Sequence, residues 1–287
     1  MRLIFIRHGD PDYEHDNLTE KGKREAALLA ERVSKWNNIT KVYLSPLGRA
    51  KATAEPFLAK LNSNKPTSEN PAASSNPYSP TICDWLQEFY YKTKYPENLP
   101  ENILPKELAG KETMCWDLMP DFFTSDPLFF DKDKWADSDF MKAGNIKEKY
   151  KMVCDGIDGI LAEYGYTRND QNFYNVKNPL PNHNWSQPIP KYHLQAVKDD
   201  YPPETTLVFV CHLGVIFTMI AHLTGLSPMQ LWQGFYIAPT SITILNSEER
   251  KHGQAWFRVE RLGDTNHLIN GGEPISSSGY FAEVFRQ

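Results

Sequence analysis

Short apolar runs alternate with segments of helical spacing along the first quarter of the chain. Residues 2–6 form an apolar run with no polar face, which predicts an interior strand covered on both sides. The segment after Thr19, a predicted N-cap, has an apolar stripe of helical period. A second apolar run at 42–44 leads into another helical pattern at 49–61. Strand, helix, strand, helix is typical of a parallel sheet covered by helices on both faces.

The rest of the chain is less regular but contains further elements. They are predicted as a third strand or strand end at 81–88, one arm of a small hairpin at 172–176, a fourth strand at 205–211, helices at 146–164, after His212 and near 228–232, and a late hairpin of strands at 241–246 and 255–262. No linker divides the chain. We therefore predict a single α/β domain spanning residues 1–287, with insertions at about 62–80, 89–145 and 165–203.

Composition narrows the class of protein. The chain has 287 residues, 40% of them hydrophobic, and a net charge of -5, which argues against general binding to nucleic acid or to a membrane surface. Its four cysteines are widely spaced and form no CxxC pair, so we expect reduced thiols and no zinc site. The amino terminus lacks a signal-peptide pattern. We expect a soluble, cytoplasmic protein.

Two distant segments share one pattern, an apolar strand that runs directly into a histidine. The first strand ends in Arg7-His8-Gly9, and the fourth ends in Cys211-His212. Ligands of parallel sheets bind beyond the carboxyl ends of the strands. If the two strands are neighbours, His8, His212 and Arg7 converge there. Two imidazoles and a guanidinium are a suitable set for binding a phosphoryl group.

His8 is the candidate nucleophile of this site. A neutral imidazole attacks phosphorus readily, and a phosphohistidine divides one hard transfer into two easier ones. Positive neighbours lower a histidine pKa and so keep the ring unprotonated at neutral pH. The alternative is a surface turn in which Arg7 and His8 occur by chance.

Arg49 and His212 are the candidate ligands of the phosphoryl oxygens. Arg49 lies in the first turn of a helix that begins beyond the second strand, where the helix N-terminus already favours an anion. Its guanidinium can bind two phosphate oxygens, and His212 can donate another hydrogen bond. The alternatives are an exposed arginine and a core histidine satisfied by a backbone carbonyl, as we expect for His222.

Glu88 is the candidate proton donor to the leaving group. A carboxylic acid that is partly desolvated has a raised pKa suited to giving up a proton in catalysis. Asp84 and Glu112 remain alternatives for this role.

Taken together, these segments resemble the histidine phosphatase superfamily, whose members are phosphoglycerate-mutase-like enzymes. The resemblance is carried by residues 7–9, 18–26, 43–54, 210–216 and 264–268. It implies a three-layer α/β/α sandwich around a largely parallel sheet, with an enlarged lid insertion. It also implies His8 as the phosphorylated nucleophile, Arg7, Arg49 and His212 as phosphate ligands, and Glu88 as acid and base. No metal or organic cofactor is implied.

The sequence departs from the family pattern at several positions. Asp10 follows the Arg-His-Gly triplet where Glu or Gln is frequent, and Leu213 replaces a glycine after the second histidine. Asn17 is an uncertain match to a phosphate-contacting asparagine of the family. The insertion at 89–145 is rich in aromatic residues, which we expect to pack in its own small core rather than to form a lid over the substrate.

The resemblance favours a phosphatase acting on a small phosphorylated molecule. The segment that follows the acid in glycolytic mutases is not recognisable after Glu88, so hydrolysis is preferred to a mutase reaction. A non-catalytic anion-binding or scaffolding module is the alternative of another class. We expect no nucleic-acid or membrane partner, and a homodimer is left open.

Overall fold

A mixed sheet carries the fold in the computed structural model, which describes residues 1–36, 38–63, 78–170, 172–179 and 205–283. Much of the predicted insertions at 62–80 and 165–203 lies outside these residues. The parallel strands are β1 (Arg2–Arg7), β4 (Lys41–Leu44), β5 (Thr81–Ile82) and β10 (Thr206–Cys211). The antiparallel strands are β8 (Tyr166–Arg168), β9 (Tyr174–Val176), β11 (Ile242–Lys251) and β12 (Gln254–Asp264). The strand order in the sheet is β5-β4-β10-β1-β11-β12-β9-β8.

Helices cover both faces of this sheet, and two small strand pairs lie outside it. The helices are α1 (Glu20–Val33), α2 (Gly48–Ser63), α3 (Pro120–Ser125), α4 (Asp139–Ala143), α5 (Ile146–Glu163), α6 (Leu213–Thr224), α7 (Pro228–Gly234) and α8 (Asn266–Asn270). The small pairs join β2 (Pro11–Asp12) to β3 (Asn17–Leu18), and β6 (Lys92–Lys94) to β7 (Glu112–Met114).

Alternation along the central strands produces two cores. Leu3 and Phe5 of β1 face a core shared with α5, α6 and the 89–145 insertion. Ile4 and Ile6 face a second core, filled by α1 and α2. Strands buried on both faces are apolar throughout, which is the pattern that predicts them from the sequence. The predicted three-layer α/β/α class is confirmed.

Most predicted elements are observed close to their predicted bounds. Thr19 is the N-cap of α1, and its hydroxyl accepts a hydrogen bond from the Gly22 amide at 3.0 Å. The third strand is shorter than predicted. Pairing with β4 ends where the Cys83 amide donates to the Leu44 carbonyl, and a 3₁₀ turn at Asp84–Leu86 then buries Leu86. The late hairpin and the small hairpin arm are both present.

The aromatic residues of the 89–145 insertion mostly pack together. Tyr95, Phe122, Phe129 and Phe140 are buried and stack edge-on or tilted with centroid separations of 5.1–6.3 Å. The insertion was expected to have its own small core, but these rings belong to the large core that the insertion shares with the sheet, α5 and α6. Tyr90 differs, since 63% of its surface is exposed. In the part of the chain that the structure describes, no helix is long and apolar enough to cross a bilayer.

Gly22→Ala is expected to lower the free energy of unfolding by about 1–3 kcal/mol, because a Cβ there would overlap the Asp10 carbonyl oxygen. Gly159→Ala is the matched control. It lies in α5 with nothing within 4 Å of the added methyl group, so it should be neutral or stabilise by up to about 1 kcal/mol. Urea unfolding measures both effects. A Gly22→Ala variant as stable as the unmodified chain would contradict this packing.

Candidate active site

The carboxyl ends of β1 and β10 bring the two predicted histidines together. The strands pair in parallel with Arg7 opposite Cys211, and the His8 amide donates to the Cys211 carbonyl at 2.9 Å. The rings of His8 and His212 consequently lie with their centroids 5.0 Å apart. Both residues are almost completely buried. This separation allows both rings to contact one tetrahedral anion.

The backbone of the following loop selects the tautomer of His8. Its Nδ1 lies 2.7 Å from the Gly9 carbonyl oxygen, which can only accept a hydrogen bond. The proton of the neutral ring is therefore on Nδ1, and Nε2 keeps its lone pair. Burial, followed by the charge of Arg7, holds the pKa of His8 well below its usual value. The ring is neutral and nucleophilic at neutral pH.

The loop that carries His8 is tied to α2. The Gly9 amide donates to the Thr53 hydroxyl oxygen at 2.9 Å, and this hydroxyl donates to the Arg49 carbonyl at 2.7 Å. On its other side the loop lies against α1. A Cβ at Gly9 would lie 2.9 Å from the Gly22 carbonyl oxygen, so the close approach of the loop to α1 requires glycine. The hydrogen bonds through Thr53 therefore fix the positions of His8 and Arg49 relative to each other.

Two buried guanidinium groups flank the imidazoles. Arg7 donates through Nη1 to the Ile237 carbonyl at 2.7 Å, and Arg49 donates through Nη1 to Asp16 at 2.6 Å. The buried Nε atoms of both arginines have no hydrogen-bond partner among the described residues. Because buried donors are rarely left unsatisfied, this arrangement suits a bound anion.

Asp16, rather than Asn17, lies next to this anion site. Asp16 has a positive φ of 46°, accepts from the Gly48 amide at 2.6 Å and orients the Arg49 side chain. Asn17 is exposed, and its side-chain oxygen accepts from the Leu18 amide at 2.8 Å. No local sequence pattern identifies Asp16 in this role, because the role depends on its positive φ.

His212 has one nitrogen occupied and one available. Its Nε2 lies 2.8 Å from the Ser45 hydroxyl, and its Nδ1 is buried without a partner among the described residues. When Ser45 donates to Nε2, Nδ1 carries the proton and is a donor for an anion. Burial, followed by the charge of His8, lowers the pKa of His212 well below its usual value.

His222 lies outside the site, in α6. Its Nε2 is 2.8 Å from an Asp158 carboxylate oxygen. The expectation of a backbone carbonyl partner was therefore wrong, because α5 places a carboxylate within reach of this ring.

Glu88 is the carboxylate that the structure places beside Arg7 and Arg49. Its Oε1 accepts from the Phe89 amide at 2.8 Å and the Gly214 amide at 2.9 Å. Burial raises the pKa of Glu88 above its usual value. A Cβ at Gly214 would lie 2.7 Å from this oxygen, so the glycine retained after Leu213 is the one that Glu88 requires.

The two alternative carboxylates lie elsewhere. Asp84 is exposed in the 3₁₀ turn, and Glu112 is exposed on β7, with its nearest carboxylate oxygen 3.4 Å from the Lys92 ammonium. Neither lines the cavity that contains Arg7, Arg49 and Glu88. Geometry therefore favours Glu88 among the three.

This cavity has a volume of about 720 Å³ and is closed on one side by residues 271–283, here called the C-terminal strap. Glu273 attaches the strap to α1 through Lys21 at 3.1 Å and Arg24 at 2.8 Å. Gly279 approaches so closely that a Cβ would lie 2.8 Å from Arg7 Nη2. This wall of the site is not predicted by any helical or strand period in residues 271–283.

Asp10 joins the strap to the loop of His8. Its carboxylate accepts hydrogen bonds from the hydroxyl groups of Thr19, at 2.8 Å, and Ser276. Its amide donates to Glu25 at 2.8 Å. Aspartate at this position thus has a structural role, because it connects α1 to the strap.

No group of three or more potential metal-ligating side chains occurs in the described part of the chain.

Comparison with known proteins confirms the resemblance for the amino-terminal motifs, at residues 7–9, 18–26 and 43–54. The model of the histidine phosphatase superfamily (branch 1) matches residues 3–72, which include Arg7, His8 and Arg49. No curated protein matches the chain significantly.

Solved structures that are similar to this chain include three phosphatases. An Entamoeba histolytica phosphoserine phosphatase is 17% identical, with a TM-score of 0.47 and coverage of 93% of this chain and 98% of that one. The Shigella flexneri alpha-ribazole phosphatase is 19% identical, with a TM-score of 0.46 and coverage of 92% and 97%. A mycobacterial glucosyl-3-phosphoglycerate phosphatase is 15% identical, with a TM-score of 0.48 and coverage of 91% and 98%.

Glu25, buried beneath the Asp10 amide, should make stability pH-dependent. Burial raises the pKa of Glu25 to about 7 in the folded protein, against about 4.3 in an unfolded chain. The folded state therefore binds this proton more tightly, and its stabilising contribution is lost as the pH rises from about 4 to 7.

Glu25→Gln should accordingly raise the free energy of unfolding at pH 8 by up to about 3 kcal/mol and change it little at pH 4. The glutamine oxygen can still accept from the Asp10 amide. Unfolding at both pH values, with the exposed Glu55→Gln as control, measures the difference. An equal effect of Glu25→Gln at the two pH values would contradict the assignment.

Proposed function

We propose that this protein is a phosphatase that hydrolyses a phosphomonoester through a phosphohistidine on His8. The observation that carries the proposal is the position of the unprotonated His8 Nε2. It belongs to a ring that lies beside His212 and near two arginines whose buried Nε donors have no partner in the described part of the chain. Such a group can hold a tetrahedral dianion against a nucleophile, and few other ligands would satisfy all of these donors.

The first step transfers the phosphoryl group to the enzyme. His8 Nε2 forms a bond to phosphorus while the bond from phosphorus to the leaving oxygen breaks. Arg7, Arg49 and His212 bind the non-bridging oxygens and stabilise the charge of the transition state. Glu88 gives its proton to the departing alkoxide, so an alcohol leaves and Glu88 becomes a carboxylate.

The second step regenerates the enzyme. The Glu88 carboxylate takes a proton from a water molecule as the water oxygen attacks phosphorus. The bond between phosphorus and Nε2 breaks, inorganic phosphate is formed, and His8 returns to its neutral state. The opposite pKa shifts of the two residues support these roles, because burial favours both a neutral imidazole and a protonated carboxyl group.

His8→Ala should lower the hydrolysis of 4-nitrophenyl phosphate by at least about 10³-fold, because the nucleophile is lost. His252→Ala, at the exposed turn of the β11–β12 hairpin, is the matched control and should keep full activity. Quenching the unmodified enzyme in alkaline denaturant should trap phosphate on the peptide that contains His8. Undiminished activity of His8→Ala would contradict the proposal.

Product analysis separates hydrolysis from the mutase alternative. Release of inorganic phosphate in amounts equal to the alcohol formed is the expected result. Interconversion of 3- and 2-phosphoglycerate with little release of phosphate would contradict it. A chain that turns over no phosphomonoester at acid or neutral pH would instead favour the non-catalytic binding module.

Glu88→Gln should affect substrates according to their leaving groups. It preserves the acceptor for the Phe89 and Gly214 amides but removes the proton. The loss of kcat/KM should reach about 10²-fold or more for an alkyl phosphate and be much smaller for 4-nitrophenyl phosphate, whose phenolate leaves without protonation.

The pH profile gives a second reading of the same residue. Activity on the alkyl phosphate should fall as the pH rises through the raised pKa of Glu88, and this decline should be absent in Glu88→Gln. Equal losses of kcat/KM for the two kinds of substrate would show that another group donates the proton. Glu112→Gln, on the exposed β7, is the control carboxylate.

A further inference from the structure

The charged side chains that line the cavity are the ones that the proposed function assigns to phosphoryl transfer. Among the described residues that line it, the charged side chains are Arg7, Arg49 and Glu88. The proposed function assigns both arginines to the phosphoryl oxygens. Among the described residues, a second anionic group on the substrate would find no cation left to pair with, and it would lie in the same cavity as Glu88. Burying an unpaired charge is costly, so the cavity disfavours carboxylated or doubly phosphorylated substrates.

The remainder of the cavity wall is aromatic. Its rings come from five separate stretches of the chain and include Tyr13, Tyr90, Trp116, Tyr236, Tyr280 and Phe281. Several are unusually exposed for their type: Tyr13 is 65% exposed, Tyr90 63% and Phe281 52%. Concentrations of exposed aromatic surface at one concave site are typical of ligand-binding surfaces. The packed aromatic residues of the 89–145 insertion contrast with this wall.

The aromatic wall begins directly beside the phosphoryl site. The guanidinium carbon of Arg7 lies 5.8 Å from the centre of the Tyr236 ring. Tyr236 stacks on Tyr280 with centroids 3.6 Å apart and an angle of 19° between the planes. The Tyr236 hydroxyl donates to the carbonyls of Ser276 and Ser278, at 2.9 and 3.1 Å, which fixes the ring against the C-terminal strap. A group attached to the bound phosphate therefore meets preoriented ring surfaces.

We infer that the substrate is a small phosphomonoester whose leaving group is uncharged and contains an aromatic ring. This inference rests on the proposed phosphatase function and assigns the substrate class of the same site. Preoriented aromatic side chains bind a ring with little loss of conformational freedom, and aromatic pairs gain energy beyond the area that they bury. Tyr280 and Tyr90 are the specificity-determining residues of this site.

Substrates with leaving groups of similar basicity test the inference. Benzyl phosphate, cyclohexylmethyl phosphate and 3-phosphoglycerate all release an alkyl alcohol, so differences among them report recognition. We expect kcat/KM for benzyl phosphate to be at least about tenfold higher than kcat/KM for 3-phosphoglycerate. It should be about threefold higher than kcat/KM for cyclohexylmethyl phosphate. A neutral phosphotyrosine peptide serves as the macromolecular arm. Faster turnover of this peptide than of phenyl phosphate, which also releases a phenol, would overturn the assignment to small molecules.

Matched variants locate the preference in the wall. Tyr280→Ala should lower kcat/KM for benzyl phosphate, mainly through KM, by about threefold to tenfold more than it lowers kcat/KM for 3-phosphoglycerate. Tyr280→Phe keeps the ring and should retain the preference. Tyr90→Arg adds a cation to the wall and should shift the ratio toward 3-phosphoglycerate by about tenfold.

The outcomes distinguish this inference from the proposed function. Hydrolysis of 3-phosphoglycerate as efficient as that of benzyl phosphate would overturn the substrate class and leave the phosphatase assignment intact. Retention of the full benzyl preference in both Tyr280→Ala and Tyr90→Arg would overturn the role of the wall. Failure to hydrolyse any of these compounds, and 4-nitrophenyl phosphate as well, would overturn the phosphatase function and the inference together.

Discussion

The parallel pairing of β1 with β10 is the constraint on which the site depends. The two strands are separated by about two hundred residues of sequence, but their register places His8 and His212 at the same level. A slip of one residue would turn every side chain of β1 to the opposite face and bury the wrong set in each core. The same apolar alternation that fills the two cores thus also sets the 5.0 Å separation of the imidazoles.

Exclusion of water then determines the chemistry of the residues at the strand ends. Desolvation disfavours the charged form of any group, so it lowers the pKa of His8 and raises that of Glu88. Both shifts lead to the neutral forms that a nucleophile and a proton donor need. The arginines stay charged because guanidinium holds its proton in any protein environment. Their buried Nε donors have no partner among the described residues, which favours the binding of an anion.

The sequence predicts the parts of the site that follow from local pattern. Apolar runs predict β1 and β10, and the histidines that follow them, His8 and His212, lie next to each other. Arg49 and Glu88 line one cavity. The choice of Glu88 over Asp84 needs the structure, because it depends on the short 3₁₀ turn that follows β5. Asp16 depends on a left-handed backbone conformation that the sequence does not signal for an aspartate.

The position of the C-terminal strap cannot be predicted from the sequence for a different reason. Its residues have no helical or strand period, and ion pairs and ring stacking with distant segments determine its position. Asp10 connects this strap to the loop of His8, while Gly279 contacts the guanidinium of Arg7. The loop of His8 and the aromatic wall are therefore parts of one packed unit. Any change that displaces the strap must move both Arg7 and the rings beside it. Under the proposed function, affinity for the phosphoryl group and selection of the leaving group are therefore coupled.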